Sequence, residues 1–510
     1  MRLESALANA SSGLAAIAQG FGTISQNIAN ASTADYAREV STTNDLSAGD
    51  QPMGTLAQPA TRILNTAIQS QVLAQNATVS ALSTAATALS TISAAQGATG
   101  ASQDIASLLG KLSDSFSTLL NDPSNATQQN AVVAAAGTLT SQINTLSTSY
   151  QKARQAAQDS LVSQVSMLNA TLATIGGLSR QIVALKGEGQ STADLENQRD
   201  AAVDQAGQLA GIRFLAQPDG NLSAYTASGL SVPLDGSTGF AIQPATVSAG
   251  ATYPGSLPPI TRGGVDVTAS LTSATGSGSI GANLVLRDQT LPTEQAELDE
   301  FSETLSTRFS AQGLTLFTDP TGHVPTPAGT PTQANYIGYA GTIMVNPAIA
   351  ANPSLVRDGT DVIAGSPTGA SAFTPNPPGG PSGFTTTITR ILSYALGSVV
   401  QDGVAQPAPA TTGLGASGTL AAPYAAQPNL ASQATALVGA QAADAAQAQA
   451  SLTDAQSLQT ALQKTLSAGS GVSIDTEMST MIALQNAYGA NAKVITAMQS
   501  MFTALAQAVT

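Results

Sequence analysis

Both ends of this chain place the same constraint on folding: apolar side chains spaced alternately three and four residues apart. Near the N-terminus the series is Leu3, Leu7, Ala10, Leu14, Ile17, Phe21, Ile24 and Ile28. Near the C-terminus it is Met481, Leu484, Tyr488, Asn491, Ile495, Met498, Phe502, Leu505 and Val509. Such spacing draws a heptad seam along a helix that packs lengthwise on another helix. A helix running from Asp475 to the end would be about 50 Å long at ~1.5 Å per residue. Gly13, Gly20 and Gly22 each lower the intrinsic helicity of the first segment by up to ~1 kcal/mol, so that helix needs neighbours. By periodicity alone, either seam suits an ordinary core or an interface between chains. Chain ends usually fray, and seams placed there are expected to pair with each other or with neighbouring chains.

Between the ends, helix is the dominant expectation. Ile68, Val72, Val79, Leu82, Ala86 and Leu89 form one stripe; Ile105, Leu108, Leu112, Phe116 and Leu119 form another, stopped by Asn121-Asp122-Pro123. A third stripe runs from Val132 through Leu139, Ile143, Leu146 and Tyr150 to Leu161, Val165, Leu168, Leu172 and Ile175. Residues 194–209 are one more amphipathic helix. From Gly211 the period shortens, and 212–214, 222–225 and 230–234 predict strands set apart by Asp219-Gly220 and Ser228-Gly229 turns. Residues 280–286 predict a further strand. Pro292 opens a helix whose buried stripe is Leu298, Phe301, Leu305 and Phe309. Residues 41–61 suggest a short-strand connector, and the Pro- and Gly-rich stretch 313–425 an all-β or irregular module. Helix returns near 430 and breaks at Gly469-Ser470-Gly471.

The expected fold class is therefore mainly α with inserted β. Residues 1–40 with 470–510 form a terminal coiled-coil assembly domain. Residues 41–312 with 426–469 form a long-helix bundle with a small β part at 212–287, and 313–425 form a variable β-rich module.

Composition narrows the function. Charged residues are 9% of the 510, against roughly 25% in ordinary globular proteins. Ser, Thr, Gln and Asn must cover the surface, which suits a chain packed against copies of itself, where each buried charge would need a partner. The net charge is −14 and the 17 basic residues are scattered, so neither nucleic acid nor a membrane surface is an expected partner. With no cysteine, disulfides, thiolate catalysis and Cys-containing zinc sites are excluded. No apolar run approaches the ~18 residues of a membrane span. Arg2 is offset by Glu4 and the apolar pattern continues through Ile28, so no cleaved signal peptide is expected.

Candidate chemistry is sparse. His323, the one histidine, lies in Asp319-Pro320-Thr321-Gly322-His323, a turn sequence with no second ligand type beside it. Gly276-Ser277-Gly278-Ser279-Ile280-Gly281 matches a dinucleotide fingerprint, but that motif needs a strand before it and a helix immediately after, and 282–286 predict strand. Glu294, Glu297, Asp299, Glu300 and Glu303 suggest the solvated face of a helix whose other face is apolar. No catalytic residue, metal site or cofactor is expected.

Longer motifs point further. Ser25-Gln26-Asn27-Ile28-Ala29-Asn30-Ala31-Ser32-Thr33, with Tyr36 and Arg38, resembles the N-terminal signature of flagellar rod, hook and hook-associated proteins. Gly471-Val472-Ser473-Ile474-Asp475-Thr476-Glu477-Met478, followed by Leu484-Gln485-Asn486-Ala487-Tyr488, is similar to their C-terminal signature. The middle resembles the hook-associated protein 1 family, which joins hook to filament. The resemblance lies in Asp194-Leu195-Glu196-Asn197-Gln198-Arg199-Asp200, Leu286-Arg287-Asp288 and Ile343-Met344-Val345-Asn346-Pro347. Where that family usually has Pro-Gly before the tyrosine, this chain has Ala34-Asp35.

The resemblance implies a non-enzymatic structural subunit of the bacterial flagellum, extracellular and exported unfolded through the flagellar type III apparatus without a cleaved signal. Implied partners are copies of itself, hook protein on one side, the distal junction protein or filament on the other, and an export chaperone. The expected assembly interface is Leu3, Leu7, Leu14, Ile17, Phe21, Ile24, Ile28, Met481, Leu484, Tyr488, Ile495, Met498, Phe502 and Leu505, with the ends ordering on assembly. Two alternatives are another axial component such as hook protein, which would lack long helices over 62–210, and a secreted enzyme carried on such a scaffold.

Overall fold

The computed structural model of the chain describes residues 3–33, 36–48, 51–97, 103–272, 277–327 and 329–509. The Ala34-Asp35 pair lies outside them. The N-terminal seam is one helix, α1 (Leu3–Ala29). After it come β1 (Glu39–Val40), the hairpin β2 (Thr43–Ala48) and β3 (Gln51–Ala57), then β4 (Thr61–Arg62), which returns antiparallel to β1.

Four helices follow: α2 (Thr66–Gln96), α3 (Ile105–Asn121), α4 (Ala126–Gly187) and α5 (Ala193–Ala210). The first three begin where a side-chain oxygen of Asn65, Asp104 or Asn125 accepts from an otherwise unpaired backbone N–H. The third apolar stripe is a single 62-residue helix, about 90 Å long. α4 is apolar enough over part of its length to cross a membrane, but its apolar side chains build two cores instead.

The second half of α4, with Leu161, Leu168 and Ile175, packs on α5 and on small antiparallel sheets. These are β5 (Arg213–Ala216), β6 (Leu222–Tyr225) and β7 (Ser231–Val232), then β8 (Phe240–Ala241), β9 (Thr261–Arg262) and β10 (Val265–Asp266). The chain crosses α4 closely there: a Cβ on Gly176 would lie 1.6 Å from the Leu234 carbonyl oxygen. The short helices α6 (Thr268–Leu271) and α7 (Gly278–Val285) close this core.

The first half of α4 packs on α3 and on α8 (Leu291–Ala311), whose Leu298, Phe301, Leu305 and Phe309 are fully buried. Residues 313–425 wrap the remaining sides of α8. They hold paired strands β11 (Phe317–Thr318) and β12 (Met344–Val345), helices α9 (Pro347–Ala351), α10 (Leu355–Asp358) and α11 (Thr386–Arg390), and two hairpins. The hairpins are β13 (Val399–Gln401) with β14 (Val404–Ala405), and β15 (Thr412–Leu414) with β16 (Leu420–Ala421). Phe317, Tyr336, Ile349 and Ile388 of this stretch join the same core as α3, α4 and α8. Finally α12 (Leu430–Ser470) runs back along α2, Gln96 bonding to Gln441 and Gln75 to the Ala455 carbonyl, and α13 (Ile474–Val509) ends the chain.

Three expectations need correction. Residues 280–286 are helical, because the short apolar run fills a gap between α2, α4 and α5 rather than joining a sheet. The residues before that helix form no strand among those described, so the fingerprint reading still lacks its scaffold. Residues 313–425 mix short helices with the expected strands. The acidic residues of α8 do not face water: Glu294, Glu297, Asp299, Glu300 and Glu303 are all buried, since 313–425 and α12 cover the face opposite the apolar stripe.

Candidate assembly surface

The terminal seams meet within one chain. Asn27 contacts Glu477, Gly20 faces Leu484 and Gly13 faces Asn491. Each step is seven residues up one helix and seven down the other, an antiparallel heptad register. A Cβ on Gly20 would sit 3.0 Å from Leu484 Cδ1, and one on Gly13 would sit 3.2 Å from Asn491 Nδ2. Of the three glycines that weaken α1 as an isolated helix, Gly13 and Gly20 therefore let α13 approach it.

On the other side of α1 lies the β2–β3 hairpin, where Thr55 N donates to Ser12 Oγ at 3.1 Å and Gln19 Nε2 to the Gln58 carbonyl at 3.2 Å. Of the anticipated interface residues, Ile17 and Ile24 are buried between these layers. Leu7, Leu14, Phe21, Ile28, Met481, Leu484, Ile495 and Met498 are half-buried along the seam, whereas Tyr488, Phe502 and Leu505 are exposed. Leu3 belongs to α1, but its side chain is outside the described set.

The seam reading missed a second apolar set on α13. Ile474, Met478 and Ile482, spaced four apart, are 52%, 44% and 55% exposed, and Val494 and Met501 are half in solvent. Leu46, Met53 and Leu56 of the hairpin are likewise exposed. Their signal in the sequence is apolar residues at off-seam positions.

Beneath this surface sits a buried polar hub. Asn27, with no exposed surface, donates from Nδ2 to the Glu39 carbonyl at 2.9 Å and to Glu477 Oε2 at 3.2 Å. Its Oδ1 accepts from Glu39 N at 2.9 Å and the Tyr36 hydroxyl at 3.2 Å. The other Glu477 oxygen pairs with Arg38 Nε at 2.5 Å. From α5, Asn197 Oδ1 accepts from Ala37 N while its Nδ2 donates to the Ala37 carbonyl and to Glu39 Oε1. Arg62 Nε pairs with Glu196 and its Nη1 with Asp200, at 2.9 and 2.7 Å. Burial raises the Tyr36 hydroxyl, and burial with the Asp194 charge raises the Glu39 carboxyl, so both resist ionisation beyond their usual ranges.

Elsewhere, His323 is exposed in a turn built on Asp319, whose carboxylate accepts from Thr321 N and His323 N. No group of three His, Cys, Asp or Glu side chains is arranged to hold a metal ion among the described residues.

Residues 97–322 match the family described as flagellar hook-associated protein FlgK helical domain, and 463–508 match the flagellar basal body rod FlgEFG protein C-terminal family. Among solved structures, the flagellar hook junction protein FlgK from Burkholderia pseudomallei is 25% identical over 50% of this chain and 45% of that one, with a TM-score of 0.40. The match thus spans less than half the length of that protein. No curated protein matches the sequence significantly.

Proposed function

We propose that this chain, whose residues 97–322 match the FlgK helical domain, is a structural subunit of the junction between hook and filament. One observation carries the assembly reading. The segment matching the rod-protein C-terminal family forms the helix that pairs in heptad register with α1 yet keeps eight large apolar side chains of α13 in solvent. A helix with apolar positions beyond its intramolecular seam needs a further partner, because such surface is costly in water. Sister subunits supply it: the exposed α13 side chains, Met478, Ile482, Tyr488, Phe502 and Leu505 among them, line the contact, while Ile17 and Ile24 hold the pair together from within. The long helices α2, α3 and α4 favour this junction role over that of a hook protein.

On this reading the subunit works outside the cell, reached unfolded through the flagellar export apparatus. It meets hook protein on one side and the distal junction protein or filament on the other, and an export chaperone covers α13 beforehand. Residues 1–40 with 470–510 are the assembly unit, 41–312 with 426–469 the bundle, and 313–425 the variable module. The role is mechanical and calls for no catalysis.

The test is the double variant Met478→Asp, Ile482→Asp. Both side chains lie outside the intramolecular seam, so the purified chain keeps its helical circular dichroism and melting temperature. Cells carrying it lose filament attachment and motility. Normal filaments on such cells would refute the assembly reading.

A further inference from the structure

The strap of residues 36–40 is the extended link by which the terminal helices reach the bundle, and its two edges are closed in different ways. Along one edge β1 pairs with β4, and the Arg38 carbonyl accepts from Ile63 N at 2.9 Å. Along the other edge, where a strand would present unpaired groups, two asparagine side chains take the place of a neighbouring strand. Asn197 of α5 bonds both the N–H and the carbonyl of Ala37, and Asn27 of α1 bonds both those of Glu39. Each carboxamide turns its oxygen and one of its two N–H donors to the segment's backbone, which is the complement of a single residue. One clamp comes from the bundle and the other from the terminal pair, two residues apart on one extended segment. Glu477 closes the joint from α13, bridging Asn27 and Arg38, and Arg38 N donates to the carbonyl of Ser470 at the end of α12.

We propose that Asn27 and Asn197 are positioning residues that fix the angle between the α1–α13 pair and the helical bundle, and through it the angle at which subunits pack. This rests on the assembly reading, but it assigns the signature motif around Asn27 to internal geometry and not to contact between subunits. The clamp side chains are closed to a neighbour, since Asn27, Glu39, Asn197 and Glu477 are at most 9% exposed.

Because the chain has no native cysteine, two spin labels report the angle directly. Ala173→Cys on α4 and Gln485→Cys on α13 are both at exposed positions. In the full-length monomer the labelled parent gives one narrow distance distribution. Asn27→Asp keeps the shape but removes the donor to the Glu39 carbonyl and sets a carboxylate against Glu477. The distribution broadens, while the bundle's melting temperature stays at the parent value. Adding Glu477→Gln restores a donor opposite the introduced carboxylate and narrows it again. Cells with Asn27→Asp shed filaments, and the double variant recovers them. A narrow distribution in Asn27→Asp, or normal filaments despite a broad one, overturns the proposal. If the Met478→Asp, Ile482→Asp chain assembles normally, the assembly reading fails whatever the labels report.

Discussion

Gly20 and Leu484 meet so closely across the α1–α13 pair that the space of a single methyl group separates a fit from a clash. The register repeats one heptad away on either side, where Gly13 meets Asn491 and Asn27 meets Glu477. The seam is therefore specified by small residues as much as by apolar ones.

Two glycines of α1 should respond to substitution with opposite signs. Gly20→Val needs Leu484 to leave its place, and overpacking of this kind typically costs about 1–3 kcal/mol. Gly22 has nothing within 4 Å of its would-be Cβ, so Gly22→Ala should add up to ~1 kcal/mol of helix stability. Limited proteolysis of the monomer checks both: cleavage within α1 and α13 speeds up for Gly20→Val and slows for Gly22→Ala. Equal rates for the two would mean that the seam does not form in the monomer.

The terminal seams and the break near Gly471 were legible because a helix pairing lengthwise writes its contacts at a fixed period. The same holds for Leu298, Phe301, Leu305 and Phe309 on α8. What the period could not carry was the opposite face of α8. Glu294 through Glu303 look like a solvated flank until 313–425 and α12, distant in sequence, fold over them. Residues 280–286 failed for a related reason, as a short apolar run does not distinguish a buried strand from a buried helical turn. The hub was visible as a motif but not as a joint. Asn27, Asn197 and Glu477 come together from three remote segments, and no local pattern links them.

Arg154 offers a sharper stability test than any apolar residue of the bundle. It is fully buried in the middle of α4, and its guanidinium donates to the carbonyls of Arg287, Ser248, Ala249 and Ala251. Burial lowers its pKa to about 10, with Asp288 pulling the other way. Arg154→Met strips this donor from those carbonyls, of which Ser248 keeps Ala251 N, at ~1–3 kcal/mol for each buried group left unmade. The expected loss is several kcal/mol in urea unfolding, with new proteolytic cleavage near Tyr253. Arg154→Lys, which keeps the charge but not the planar fork, should fall between.

The buried acids of α8 make stability depend on pH in an unusual direction. Asp299 and Glu300 are well supplied with donors: Gly338 N, Ala340 N and Gln295 for the first, Tyr336, Gln333 and Ala410 N for the second. Glu294 has no donor to either oxygen, and Glu297 lacks one at Oε2. Burial first, then Glu297 and Asp444, pushes Glu294 up to about 8; burial and Asp444 push Glu297 up to about 8. The folded chain thus holds protons that the unfolded chain releases near 4.5. Their stabilisation is complete below pH 4.5, falls as pH rises toward 8 at about 1.4 kcal/mol per unit for each group, and levels off above. Glu294→Gln keeps the size and removes one titration. It should therefore be more stable than the parent at pH 8, by a few kcal/mol, and match it near pH 5. Urea midpoints across pH 5 to 9 decide the matter: a parent whose stability rises over that range, or a variant with the parent's slope, would show that these carboxyls are ionised in the folded chain.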